Sequence, residues 1–97
     1  MKVFLTGATG FIGAKLVKQL LSDNYKVVCY VRNIEKAKRK LGNRVELLST
    51  SAFQNHIIKT LEGCDAVVNL AGEPIVKRWT KKNKKRFMIV ELILQKK

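Results

Sequence analysis

Val3-Phe4-Leu5 is a short unbroken apolar run that stops against Thr6-Gly7, the pattern of a strand buried on both faces of a parallel sheet. From Phe11 to Leu21 the apolar residues Ile12, Leu16, Leu20 and Leu21, with Val17 between them, recur at helical spacing. Lys15, Lys18 and Gln19 occupy the other side. Asp23-Asn24 ends this amphipathic helix, and Lys26–Val31 returns to the β-branched and aromatic composition of an interior strand. A second helix is expected over Ile34–Leu41, closed by Gly42-Asn43, residues that tolerate the left-handed conformation. Val45–Leu48 reads as a third strand. Phe53, Ile57, Ile58 and Leu61 mark a third helix stopped at Gly63, and Ala66–Leu70 reads as a fourth strand.

Alternation of strand and helix, with connections too long for hairpins, predicts parallel strands joined by right-handed helical crossovers, hence an α/β doubly wound sheet. The chain has 97 residues, one domain's worth, because single cores are comfortable at roughly 100 to 150 residues. A complete sheet of this kind does not fit, so the fold is expected to be truncated. After Pro74 the character changes. Residues 77–97 hold nine of the 20 Lys and Arg against Glu91 alone, so the net charge of +13 belongs largely to this segment. The expected organisation is therefore a half-domain over 1–76 and a basic segment of helical composition over 77–97. Such a tail attracts polyanions without naming one. A hydrophobic share of 46% with 28% charged residues is that of a globular chain and excludes a disordered or fibrous one.

Thr6-Gly7-Ala8-Thr9-Gly10-Phe11-Ile12-Gly13 lies between the first strand and the first helix. That context raises a glycine pattern to a dinucleotide-binding signal. A diphosphate needs backbone N–H groups aimed at it and close approach of the chain, roles that suit Gly7 and Gly10. Gly13, one turn further on, lets the helix pack closely on the sheet, with the positive end of its dipole at the phosphates. The spacing is G-x-x-G-x-x-G, not the general G-x-G-x-x-G, and a plain strand-to-helix turn with incidental glycines is the alternative.

The general pattern places an acidic residue about 20 residues on, where it binds the ribose 2′-hydroxyl of NAD. This chain has Val31-Arg32-Asn33 there. An Arg32 guanidinium suits a 2′-phosphate and favours NADP, with NAD as the second choice and Lys36 close enough to assist. A solvated loop arginine is the alternative. At the end of the fourth strand, Ala71-Gly72 puts small residues where open parallel sheets bind ligands, and a purely structural turn would read the same way.

These residues resemble a known family. T-G-A-T-G-F-I-G at 6–13 is similar to the opening of the extended and atypical short-chain dehydrogenase/reductases. N-L-A-G-E-P-I at 69–75, followed by Arg78-Trp79-Thr80 and lysines, resembles one subgroup, the NAD(P)-dependent nucleoside-diphosphate-sugar epimerases, sometimes mislabelled as cell-division inhibitors. The resemblance implies the N-terminal half of a Rossmann-type fold. It implies cofactor-binding roles for Gly7, Thr9, Gly10, Phe11, Ile12, Gly13, Arg32, Ala71 and Gly72. It carries over no catalytic residue: the family's Tyr-x-x-x-Lys pair is absent, since Cys29 follows Tyr25 and Ile34 follows Tyr30 at that interval. The expectation is an NADP(H)-binding fragment of an epimerase/dehydratase-like oxidoreductase, inactive alone. Beyond Arg86 the chain departs from the family pattern, and a truncated or frameshifted copy with eleven non-homologous terminal residues accounts for that.

His56 stands alone without a metal-spaced partner, Glu73 borders the expected cleft without an assignable proton-transfer partner, and Trp79 either stacks on a base or packs beside the cleft. Cys29 and Cys64 lack metal spacing and read as buried reduced thiols, which places the chain in the cytoplasm. No leader is expected, and the apolar run Phe87–Leu94 is far short of the roughly 20 residues of a spanning helix. The competing functions are a basic module that binds nucleic acid or an anionic membrane surface through 77–97, and a product with no function of its own. An oligomer that completes the sheet is a further expectation.

Overall fold

In the computed structural model, which describes residues 1–83 and 88–90, strand and helix alternate throughout. The elements are β1 (Lys2–Thr6), α1 (Phe11–Ser22), β2 (Lys26–Val31), α2 (Ile34–Leu41), β3 (Glu46–Ser49), α3 (Gln54–Glu62), β4 (Ala66–Asn69), α4 (Pro74–Asn83) and β5 (Met88–Val90). The strands form one sheet in the order β3-β2-β1-β4-β5, and every neighbouring pair is parallel. The chain runs outward from β1 through β2 to β3, then returns to β1's other side as β4. That reversal leaves a crevice beyond the carboxyl ends of β1 and β4, where doubly wound sheets take their ligands.

The period of two along each strand divides the core. Val3, Leu5, Val27, Cys29 and Val31 face one layer with Val17 of α1 and Ala37 of α2. Phe4, Val28, Tyr30 and Val67 face the other with Ile57 and Leu61 of α3 and Val76 and Trp79 of α4. Phe4, Leu5, Val28, Cys29 and Val67 are fully buried, as the central strands of a sheet covered on both faces must be.

The α/β class and the parallel half-sheet stand as expected, with differences at the C-terminal side. α4 runs across residue 76, and Val76 and Trp79 on it are both buried, so the change in charge marks no break in packing. Burial of Trp79 also removes it as a stacking platform. Residues 88–90, expected to be helical, instead form β5, with Ala66↔Met88, Val67↔Ile89 and Val68↔Val90 in register. A short apolar run does not distinguish helix from buried strand by periodicity, and the open edge of β4 supplies backbone partners that local propensity ignores. Among the described residues the sheet therefore has five strands. The rest of the expected terminal helix, 84–87 and 91–97, lies outside the described residues. Phe53 is 89% exposed because it stands ahead of α3, whose inward positions are Ile57 and Leu61.

Both cysteines are buried, and burial pushes the Cys29 thiol up from 9.0 to about 12. The folded state therefore keeps a proton that the unfolded chain gives up above its ordinary thiol pKa of about 8.5. The resulting stabilisation is complete below that value and is lost as pH rises towards 12. Iodoacetamide at pH 8 is expected to leave Cys29 unlabelled in the folded chain and to label it in urea. The decline of the urea midpoint between pH 9 and 12 is expected to be shallower in Cys29→Ala.

Candidate functional site

Thr6 ends β1 and Asn69 ends β4, and the two are partners in the sheet register. Both are buried, at 0% and 1% exposure. The Thr6 hydroxyl donates to Asn69 Oδ1 at 2.6 Å and accepts from the Ala71 N–H at 3.1 Å. Asn69 Oδ1 also accepts from the Glu73 N–H at 2.9 Å, while Asn69 Nδ2 donates to the Glu73 carbonyl at 3.4 Å. Polar side chains survive at this depth because their hydrogen bonds are made. The consequence is that the loop after β4 is tied to the end of β1.

The three glycines of the turn have three different reasons. Gly7 takes φ +75°, and a Cβ there would stand 3.0 Å from Leu70 Cβ and 3.1 Å from the Ala71 nitrogen, so conformation and contact both demand glycine. At Gly13 a Cβ would lie 2.0 Å from the Gly7 carbonyl oxygen and 2.8 Å from Ala8 Cα, so α1 rests directly on the turn. Gly10 differs from both. Its backbone is extended, with φ −72° and ψ 169°, and a Cβ would meet only the Gly7 oxygen, at 3.4 Å. Nothing among the described residues excludes a side chain there, and the open space suits the passage of a ligand.

The helix geometry identifies the available donors. The Gly10 N–H is engaged with the Gly7 carbonyl at 3.2 Å, and the bond from Ala14 N–H to Gly10 O closes the first turn of α1. The N–H groups of Phe11, Ile12 and Gly13 precede that bond and stand at the positive end of the helix. Thr9 is held from the other side by the Lys40 ammonium, which donates to its carbonyl.

A cleft of about 410 Å³ opens beside the turn, lined by Gly7, Thr9, Arg32, Lys36, Ala71 and Glu73 among others. A second, of about 360 Å³, shares Gly7 with the first and is lined also by Gly10, Phe11, Ile12, Gly13 and Leu70. Of the residues singled out from sequence, Gly7, Thr9, Arg32 and Ala71 thus share one cleft, and Gly10, Phe11, Ile12 and Gly13 share its neighbour. Gly72 lines neither; its φ of +65° gives it a role in the loop's path. A recess of about 310 Å³ continues past Tyr30, Thr50 and Glu73 to Arg78.

Tyr30, Asn33 and Thr50 line the first cleft without having been selected. Asn33 was detectable, because an Asn before a helical run is an N-cap signal, and its side chain accepts from the Lys36 N–H at 3.0 Å. Tyr30 and Thr50 are strand-end residues with no local signature. Burial, and secondarily the Glu73 charge, holds the Tyr30 hydroxyl above its ordinary range. His56 lines a separate groove on α3 with Phe53 and Lys59. No helix among the described residues is long and apolar enough to cross a membrane, and among them no group of three His, Cys, Asp or Glu could hold a metal ion.

Comparison with known proteins places this geometry in context. The model of the NAD dependent epimerase/dehydratase family matches residues 3–96, a span that runs into the terminal segment. An epimerase family protein of Arabidopsis thaliana, the chloroplastic SDR39U1 homologue, is 38% identical over 89 residues, covering 88% of this chain and 24% of its own length. The epimerase family protein YfhF of Bacillus subtilis is 33% identical over 88 residues, covering 91% and 28%. The chain thus spans about a quarter of the length of these curated relatives. Among solved structures, yeast methylglyoxal/isovaleraldehyde reductase Gre2 complexed with NADPH superimposes with a TM-score of 0.73 at 26% identity, over 94% of this chain and 37% of that one.

Two substitutions test the architecture by urea denaturation. Thr6→Val leaves the Ala71 N–H without its acceptor and is expected to destabilise by about 1–3 kcal/mol, while Thr6→Ser retains most of the stability. Gly13→Ala forces the turn and helix apart and is expected to cost about 3 kcal/mol or more.

Proposed function

Because the chain belongs to the NAD dependent epimerase/dehydratase family, we propose that it binds NADP(H) across the two clefts that share Gly7 and serves as the cofactor-binding part of an epimerase/dehydratase-like oxidoreductase. The observation that carries the reading is the meeting of Arg32 and Lys36 with the glycine turn in one cleft, at a strand end that lacks a carboxylate.

In this reading the N–H groups of Phe11 and Ile12 receive the diphosphate, and the bare Gly10 lets it approach. Arg32 offers a planar fork to a 2′-phosphate and Lys36 adds a second cation from the first turn of α2. Ala71 and the backbone at Gly72 leave room along the β4 exit. Phe11 and Ile12, 76% and 42% exposed, flank the second cleft and offer apolar surface to the rest of the cofactor. A bound nicotinamide ring supplies hydride transfer. We assign no proton transfer to this chain, since neither Tyr25 nor Tyr30 is followed by lysine at the family's interval. The NADPH complex of the Gre2 relative supports the choice of cofactor class.

The rival reading, polyanion binding through the basic segment, draws on exposed Lys77, Arg78 and Lys81 of α4. Among the described residues it finds no aromatic platform there, because Trp79 is buried. Calorimetric titration separates the two. Arg32→Asp is expected to lower the ratio of NADP to NAD affinity by about tenfold or more, the worth of a charge-assisted bidentate contact. Gly10→Asp, which puts a carboxylate in the diphosphate's path, is expected to abolish binding of both cofactors with the fold intact by circular dichroism. An unchanged NADP to NAD ratio in Arg32→Asp overturns the assignment of Arg32. Intact binding in Gly10→Asp overturns the site.

A further inference from the structure

A cleft suited to a diphosphate and a 2′-phosphate gains nothing for either from a carboxylate in its wall, yet Glu73 lines it together with Arg32 and Lys36. The Glu73 backbone is firmly placed, with its N–H donating to Asn69 Oδ1 at 2.9 Å and its carbonyl accepting from Asn69 Nδ2 at 3.4 Å. Asn69 is in turn buried and fixed by Thr6. The carboxylate itself makes no hydrogen bond and no ion pair among the described residues. The fold thus holds, in the wall of an anion site, a half-buried acceptor with no protein donor among the described residues, open to water or to a donor on the ligand.

The NADP(H) reading above, on which this inference rests, says where that donor is. With the diphosphate at the turn and the 2′-phosphate at Arg32, the base on the same ribose falls in the remainder of the cleft. There Tyr30, Thr50 and Glu73 continue into the adjoining recess. The base presents one group of hydrogen-bond donors, its exocyclic amine. We infer that Glu73 accepts a hydrogen bond from the 6-amino group of the adenine, and that it thereby selects a 6-aminopurine cofactor over a 6-oxopurine one. A 6-oxopurine turns a carbonyl oxygen towards the carboxylate where the amine stood, and its new donor, the N1–H, lies at the neighbouring edge position, so the contact made by the amine is lost unless the base shifts, a mismatch that weakens binding.

The test is calorimetric titration of the full chain with NADP and with its hypoxanthine analogue, in which oxygen replaces the 6-amino group. The wild-type chain is expected to bind the analogue about tenfold or more weakly. In Glu73→Gln the amide can turn either its oxygen or its NH₂ to the base, and the two affinities are expected to converge to within about threefold. Loss of the negative charge strengthens both cofactors alike and cancels in the ratio. Glu73→Ala, which neither accepts nor donates, is expected to show the same convergence and stands in if the glutamine variant folds poorly. A wild-type chain without preference, or a preference unchanged by both variants, overturns the inference while leaving the NADP(H) site in place. Failure of the wild-type chain to bind either cofactor overturns both.

Discussion

The hydrogen bond between Thr6 and Asn69 joins two parallel strands at the point where both stop and their loops diverge. Beyond the last rung of a parallel ladder the backbone has no regular partner, so side chains must hold the exits together. Here a hydroxyl and an amide do so inside the core, and each makes a further bond to the loop after β4. Networks of this kind are rigid when complete and costly when broken, because every remaining member stays buried. The crevice therefore inherits its shape from two residues that do not line its main cleft.

The glycine turn rests on that frame from above. Gly7 must be bare because the β4 loop touches it, and Gly13 must be bare because the helix lies on the turn's carbonyl. These two demands arise within the protein and would exist without any ligand. Gly10 has no such internal demand among the described residues, and its bareness has a purpose only in the proposed cofactor site. The three positions look equivalent in sequence and are separated only by what a methyl group would strike.

The legible part of the structure was the part set by local pattern. Periods of 3.6 and 2 located the helices and the central strands, and the strand-turn-helix setting of Gly7, Gly10 and Gly13 located the crevice. The illegible part depends on contacts between distant segments. Met88–Val90 becomes a strand because β4 lends it an edge, which no property of the three residues announces. α4 ignores the shift in charge because Val76 and Trp79 find core to fill. Glu73 was visible as a residue beside the cleft, but that its carboxylate has no hydrogen-bond or ion-pair partner among the described residues, and that its backbone is anchored through Asn69, emerge only when loops sixty residues apart are brought together. Tyr30 and Thr50 joined the cleft for the same reason.

The central position of β1 also has a temporal consequence. Of the described strands it is made before the others, and β2 can pair with it within about twenty residues of chain, but its other neighbour is β4. The bond that seals the crevice spans 63 positions. Closing so long a loop carries an entropic cost before any contact repays it, which places this step late in folding. The β1-α1-β2 unit can assemble while the side of the crevice built from β4 is still missing. Until β4 arrives, the glycine turn lacks the β4 loop it packs against, and the Thr6 hydroxyl stays in water.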